Sequence, residues 1–352
     1  MKTIINELYI NRCLEIAQRG AGKVAPNPMV GAVLVYEDKI IGEGWHQVYG
    51  GPHAEVNCIN SVAPDEQHLI PFSTIYVSLE PCAHFGKTPP CAELIIKSGI
   101  KKVVVGCIDD FSKVAGKGIQ MLKDANIEVF MSAQSDLCKR FNKIFFKNIS
   151  ENLPFITLKF AQSKDGYLSP VFGNKVMLSN KFISNIVQSQ RKNQSGILVG
   201  YKTALLDNPF LSSRYYDIDH QPTRIVFDWY HQLPKDLNIF DQQQKTIIVN
   251  CEEERVERNI HYMKYDRNQH QLKDLLTRLY NLGIYSIIVE GGGATLQSFI
   301  YQHLWDEAYV ITTDVVLKQG TAAPELKHQH LVETKNISNN TLNIYEPIDQ
   351  HI

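Results

Sequence analysis

Strand-length apolar runs alternate with helical segments twice along this chain, and a polar joint, Ser150-Glu151-Asn152 followed by Pro154, separates the two series. Alternation of this kind demands sheets with helices on their faces, because parallel neighbours are joined only through a crossover. Before the joint the pattern predicts helix 3–19, paired strands across 30–46, helix 54–62, strand 74–79, helix 91–98, strand 101–108, helix 116–125, strand 127–132 and helix 135–149. After it come strand 155–161, helix 180–193, strands 195–200, 223–228 and 245–250, helix 271–282, strand 285–289, helix 294–303, strand 307–314 and a late strand, TLNIYEPI. The polar stretch from about 251 to 270 reads as an exposed loop. A chain of 352 residues exceeds one ordinary core, so two α/β domains are expected, at 1–148 and 153–352.

Charge narrows the partners. Lysine and arginine total 36 against 37 acids, a net charge of −1, without the basic excess or stripe of a nucleic-acid binder. The amphipathic N-terminal segment MKTIINELYINRCLEIAQRG lacks the long apolar run of a signal or membrane span, which favours a cytoplasmic protein with no membrane partner. Seven scattered cysteines are not a disulfide framework; in a reducing compartment, cysteines near His and Glu read as metal ligands.

Three pieces meet that description: His53-Ala54-Glu55, Pro81-Cys82, and Cys91 opening a helix. A catalytic zinc site takes three protein ligands and keeps one position for water. His53, Cys82 and Cys91 fill the count, while Glu55, at a helix start, is placed to take a proton from water and pass it to a leaving amine. The order matches the known zinc-deaminase signature, H-x-E then P-C-x-x-C. Here eight residues rather than two separate the cysteines, and that longer loop carries His84 and Lys87. Cys13, Cys58, Cys107, Cys138 and Cys251 fall outside the pattern and read as small apolar side chains. In the second half, Glu290-Gly291-Gly292-Gly293 lies between a strand and a helix; such a turn can cradle a cofactor phosphate, but by itself a plain tight turn is the commoner explanation.

The strings HAE and EPCAHFGKTPPC, with Pro26-Asn27-Pro28-Met29-Val30-Gly31 and the segment Val114 to Gly118, closely resemble the bifunctional riboflavin biosynthesis deaminase–reductase family, and similarity runs through nearly the whole chain. The resemblance implies an N-terminal three-layer α/β/α cytidine-deaminase-like domain and a C-terminal dihydrofolate-reductase-like α/β domain. It implies one Zn2+ per deaminase domain, NADPH for the reductase, and a homo-oligomer joined through the reductase domains. The implied chemistry is hydrolytic loss of the 2-amino group from a diaminopyrimidinone bearing a ribosylamino phosphate, then reduction of its ribose to ribityl.

By the same resemblance, Asn27, His46, His84, Lys87 and Asp109 surround the pyrimidine. Lys159, Asp207 and Glu290 act in positioning or proton transfer in the reductase. Lys175, Arg191, Leu211 and Arg214, with Glu290, lie on its substrate side, and Ala161, Met177, Thr203, Asp207, Gly292, Gly293, Ala294, Thr295 and Leu296 on its cofactor side. Two departures stand out. The family's D-P-N-P becomes Asp109-Asp110-Phe111-Ser112, and its G-E-S-x-W-I-[ST] becomes Gly173 to Ser179, with Lys175 for Ser and Met177 for Trp. The second departure leaves open a reductase half that is impaired or only a scaffold. The zinc motif alone also fits a deaminase of another base, a nucleoside or tRNA, or a zinc-stabilised binding protein whose sites have decayed.

Overall fold

The computed structural model describes residues 5–84, 89–109, 115–170, 176–213 and 221–348. The chain divides into two compact units, Met1–Glu151 and Asn152–Ile352.

In the first unit, helix α1 (Glu7–Ala17) starts where the Asn6 side chain accepts the Leu8 amide, and buries Ile10, Cys13, Leu14 and Ala17 at helical spacing. Strands β1 (Gly31–Tyr36) and β2 (Lys39–Trp45) form a hairpin across Glu37 and Asp38, both at positive φ. Then follow α2 (Ala54–Asn60), β3 (Thr74–Leu79), α3 (Cys91–Lys97), β4 (Lys102–Cys107), α4 (Lys117–Asp124), β5 (Glu128–Met131), α5 (Ser135–Phe141) and α6 (Lys143–Glu151). The sheet order is β2-β1-β3-β4-β5; β1 is antiparallel to β2 and β3, and β3, β4 and β5 are parallel.

Each central strand feeds two cores by its period of two. Ala32, Leu34, Ile75, Val77, Val103 and Val105 pack with residues of α2, α3 and α4, whereas Val33, Tyr76 and Val104 pack with residues of α1 and with Cys138 of α5. This is a three-layer α/β/α unit. The continuous helix expected over 135–149 is instead broken at Asn142. The Asn142 side chain donates to the Met29 carbonyl and accepts from the Met29 amide, both at 2.9 Å. That fixes the helix joint against the loop preceding β1.

The second unit runs β6 (Phe155–Gln162), β7 (Tyr167–Pro170), α7 (Lys181–Lys192), β8 (Gly196–Gly200), α8 (Tyr201–Asp207), β9 (Thr223–Phe227), β10 (Thr246–Asn250), β11 (Arg255–Glu257), β12 (Ile260–Lys264), α9 (Leu272–Asn281), β13 (Ser286–Val289), α10 (Gly293–Tyr301), β14 (Glu307–Thr313), β15 (Gly320–Ala322), β16 (Gln329–Ile337) and β17 (Asn340–Pro347). Its large sheet is ordered β11-β12-β10-β9-β8-β13-β6-β14-β17-β16, parallel from β12 to β14 and antiparallel at both margins. One face packs on α9 and α10 through Leu158, Leu198, Ile225 and Val289; on the other, Ile197, Val199, Val226 and Ile288 pack with Ala204 of α8.

The exposed loop expected over 251–270 is overturned. It contains β11 and β12, and β12 pairs in parallel with β10 while burying Ile260, Tyr262 and Met263. Strand β12 extends the parallel sheet because these apolar side chains reach the cores on both of its faces.

Candidate active sites

In the first unit the chemistry collects at the strand ends where β3 and β4 stop and helices begin, the usual site position in open parallel sheets. His53 is the N-cap residue of α2, Glu55 lies in the first turn of that helix, Cys82 lies three residues past β3, and Cys91 opens α3. The fold brings the three proposed ligands together: the His53 Nδ1 lies 3.3 Å from the Cys91 Sγ and 3.6 Å from the Cys82 Sγ, and all three donor atoms fall within 4.8 Å of one another. Zinc with tetrahedral N and S ligands separates such atoms by roughly 3.5 Å. The donor set therefore fits zinc.

The electrostatics agree with that fit. The Cys91 amide donates to the Cys82 Sγ at 3.3 Å, and hydrogen bonding from the Cys91 thiol pulls the Cys82 thiol below its ordinary range while the Cys91 thiol is pushed up. Two sulfurs this close ionise together only around a cation, and a divalent ion ligated by both supplies that charge. Glu55 is buried, and burial together with the Cys82 sulfur pushes its carboxyl up to about 6.

A cavity of about 410 Å³ opens onto these groups, lined among others by Asn27, His46, Glu55, His84 and Asp109. The His46 Nδ1 donates to the Pro52 carbonyl at 3.0 Å, leaving the Nε2 to accept from the Asn27 amide at 3.1 Å. Burial, with His53 nearby, lowers the His46 pKa, in keeping with this neutral tautomer. His84 sits exposed at the rim and Asp109 is half-buried beyond β4. Lys87 and Phe111 lie outside the described residues, as do Lys175 and Arg214 of the second unit. Among the lining residues that sequence reasoning missed are Glu80, and Phe145 with Ile149 of α6. Only the i, i+4 apolar pair on a helix hinted at the last two.

In the second unit, Lys159 on β6 and Glu290 just past β13 lie on adjacent strands. Arg191 of α7 grips Glu290 with two hydrogen bonds of 2.6 Å, and its third nitrogen donates to the Ser212 carbonyl at 3.2 Å. Burial opposes ionisation of Glu290, but Arg191 and Lys159 win and hold its carboxyl down at about 2. Burial lowers the Lys159 pKa, against the pull of Glu290. The guanidinium of Arg191, expected on the substrate side, is thus committed to Glu290 and Ser212.

The cofactor-side residues gather at two neighbouring turns. The Gly200 amide donates to the Gly291 carbonyl at 2.8 Å. Gly291 has φ +121°, and a Cβ on Gly200 would come within 2.4 Å of the Thr295 Oγ1. Thr203 of α8 faces this turn, its Oγ1 3.3 Å from where a Cβ on Gly292 would stand. Gly292 caps α10 without a side chain, so no side-chain cap occupies the first-turn amides of Gly293, Ala294 and Thr295. This glycine cradle fits a cofactor phosphate. Leu211 and Leu296 are buried in the cores, so either would meet a ligand through its backbone. Met177 is 74% exposed; Asp207 is exposed at the end of α8, and Ala161 is half-buried on β6.

A deaminase-type zinc centre and a separate glycine-cradled reductase unit define a two-activity enzyme, and comparison with known proteins names its family. Residues 4–107 match the cytidine and deoxycytidylate deaminase zinc-binding region, and residues 154–341 match the RibD C-terminal domain. The chain belongs to the riboflavin biosynthesis protein RibD family. It is 33% identical to the Aquifex aeolicus riboflavin biosynthesis protein RibD over 341 residues, covering 95% of this chain and 94% of that one. It is 37% identical to the Bacillus amyloliquefaciens protein of that name over 330 residues, covering 92% and 88%. A solved Thermotoga maritima structure, described as a diaminohydroxyphosphoribosylaminopyrimidine deaminase/5-amino-6-(5-phosphoribosylamino)uracil reductase, is similar with a TM-score of 0.89 at 31% identity, covering 97% of this chain and 98% of that one. The protein is accordingly a bifunctional deaminase and reductase of riboflavin biosynthesis, with Zn2+ and NADPH implied by its two domains. No described helix is long and apolar enough to cross a membrane.

Proposed function

We propose that the first unit hydrolyses the 2-amino group from 2,5-diamino-6-ribosylamino-4(3H)-pyrimidinone 5′-phosphate, and that the second reduces the ribose of the product to ribityl. The observation that carries the first half is the convergence of His53, Cys82 and Cys91 beside buried Glu55 in one cavity. His53, Cys82 and Cys91 would hold zinc, which when bound acidifies water and so provides a nucleophile near neutral pH. Glu55 takes the proton from the attacking water and delivers it to the departing nitrogen, which leaves as ammonia. Asn27 holds His46 in its neutral form, His46 supports Asn27 in turn, and Asn27 with Asp109 and His84 offers polar atoms to the ring edge; the family resemblance adds Lys87 to the substrate contacts.

In the second unit NADPH, when bound, supplies the hydride, and the cradle of Gly292, Gly293, Ala294 and Thr295 would hold one of its phosphates. Reduction of the ribose to ribityl would free the ring oxygen from C1′, and that oxygen must then take a proton. Lys159, whose ammonium is made more acidic by burial, is the donor, and Glu290 orients it and the sugar. Arg191 acts on the sugar through Glu290. By the family resemblance, Asp207, Thr203, Ala161, Met177 and the backbones of Leu211 and Leu296 would contact cofactor or substrate, and Lys175 and Arg214 would contact substrate. We place the enzyme in the cytoplasm as a homo-oligomer joined through its second units, as the family resemblance implies, without membrane partners, and without nucleic-acid partners, a point the balanced charge supports.

The test follows ammonia release and NADPH absorbance together on the phosphorylated diaminopyrimidinone, cytidine and guanine. Ammonia from the first compound alone, with NADPH consumed only after it appears, is expected. Turnover only of cytidine or guanine sinks the substrate assignment.

A further inference from the structure

We infer that Glu80 is a positioning residue for the deaminase reaction, tying the strand end that carries Cys82 to the segment that carries Asp109. The inference rests on the reading of the first unit as the deaminase.

Glu80 directly follows β3, its side chain is buried, and it borders the same cavity as Glu55 and Asp109. Among the described residues, four backbone amides donate to its carboxylate. The Oε2 receives Gly116 at 3.0 Å and Asp109 at 3.3 Å; the Oε1 receives Gly118 at 2.9 Å and Ile119 at 3.3 Å. One oxygen therefore gathers the amides at 109 and 116, while the other caps the first turn of α4, where an anion is favoured by the helix dipole. The Glu80 amide donates to the Cys107 carbonyl at 2.9 Å, so main chain and side chain both bind the β4 side of the site.

The neighbouring glycine has its place in the same clamp. A Cβ on Gly118 would stand 1.8 Å from the Pro81 carbonyl oxygen and 3.3 Å from the Glu80 Oε1. Only a residue without a side chain lets α4 approach the backbone just before Cys82 closely enough for its amides to reach Glu80. Moving the carboxylate releases Asp109 on one side and α4 on the other, and Asp109 is a proposed contact to the pyrimidine. Buried amides left without their anion are costly, so the native position is strongly held.

Glu80→Ala and Glu80→Gln test this in the full-length, zinc-loaded enzyme. Wild-type ammonia release is the control for the underlying reading; its absence overturns that reading. With wild type active, both variants are expected to keep one zinc per chain and unchanged reductase kinetics on deaminated substrate. Their deaminase KM should rise about tenfold, a larger change than in kcat, as expected for loss of a charged hydrogen-bond anchor. Gly118→Ala, which leaves the carboxylate in place but pushes the helix away, should give the same KM signature. An unchanged KM in all three, whether activity is intact or falls in step with zinc content or folded fraction, overturns the positioning role.

Discussion

Arg191 and Glu290 form a two-pronged ion pair, with Nε to Oε1 and Nη2 to Oε2 each at 2.6 Å, between side chains that are 12% and 8% exposed. Removing one member leaves a buried charge alone, which costs about 3–5 kcal/mol. Arg191→Ala should therefore lower the melting temperature of the second unit measurably in calorimetry, and Arg191→Lys, which keeps charge but not the fork, should rescue only part of it. An unchanged melting temperature in Arg191→Ala contradicts the structural weight given to the pair.

The same pair sets a pH dependence. The Glu290 carboxyl is depressed from an ordinary 4.5 to about 2. A depressed carboxyl contributes stability that is fully present above the unfolded value and is lost as pH falls through the folded one. Wild type should thus lose stability between about pH 4.5 and 2 more steeply than Glu290→Gln, which lacks the titrating group. Denaturant titrations at stepped pH measure both slopes; parallel slopes would contradict the assignment.

Glu55 and Lys159 separate the two reactions. Glu55→Gln should abolish ammonia release, by roughly 10²-fold or more as expected for loss of a general acid–base, while retaining zinc, fold and reduction of deaminated substrate. Lys159→Ala should leave ammonia release intact and slow NADPH oxidation. Zinc loss in Glu55→Gln, or ammonia release at the wild-type rate, would remove Glu55 from its role.

Chelation offers an independent check on the metal ligands. Stripping zinc, or replacing Cys82 with Ser, should silence deamination and spare the reductase. Added Zn2+ should restore the stripped wild-type enzyme and Mg2+ should not, since thiolate and imidazole ligands select against a hard cation. Metal analysis after dialysis reads the same outcome as a stoichiometry.

Phe145 is an aromatic residue lining the deaminase cavity, braced by Phe146 with ring centroids 5.4 Å apart. A phenyl ring against a flat heterocycle contributes about 0.5–1.5 kcal/mol beyond area. Phe145→Ala should raise the deaminase KM by about tenfold, and Phe145→Leu should raise it less. Equal KM values across the three proteins would show that the ring does not meet substrate.

The metal ligands were legible because each sits at a local landmark: His53 before a helix, Cys91 opening one, Cys82 just past a strand. Central strands such as β4 were legible for a related reason, since burial on both faces leaves the unbroken run Val103 to Val105. Strand β12 was not. Its three buried residues, Ile260, Tyr262 and Met263, are interrupted by His261, end at Lys264 and follow the charged, exposed β11, so the local pattern reads as surface. Helix α8 follows β8 directly, and its brief span with a single buried residue, Ala204, gave no helical period to read. The expectations for Leu211 and Leu296 matched chain position, but their side chains face the interior, which only tertiary packing decides. Glu80 and Phe145 escaped for the same reason.

Helix α6 bears on how the two halves of the gene product can be parted. It lies beyond the matched zinc-binding region, yet Phe145 and Ile149 stand in the deaminase cavity up to the last turn before Glu151. Leu153 is already buried in the core of the second unit, so three exposed residues, Ser150, Glu151 and Asn152, separate the two obligations. Gene fission has a window no wider than this exposed stretch: cutting earlier strips a wall from one catalyst, and cutting later steals a core residue from the other.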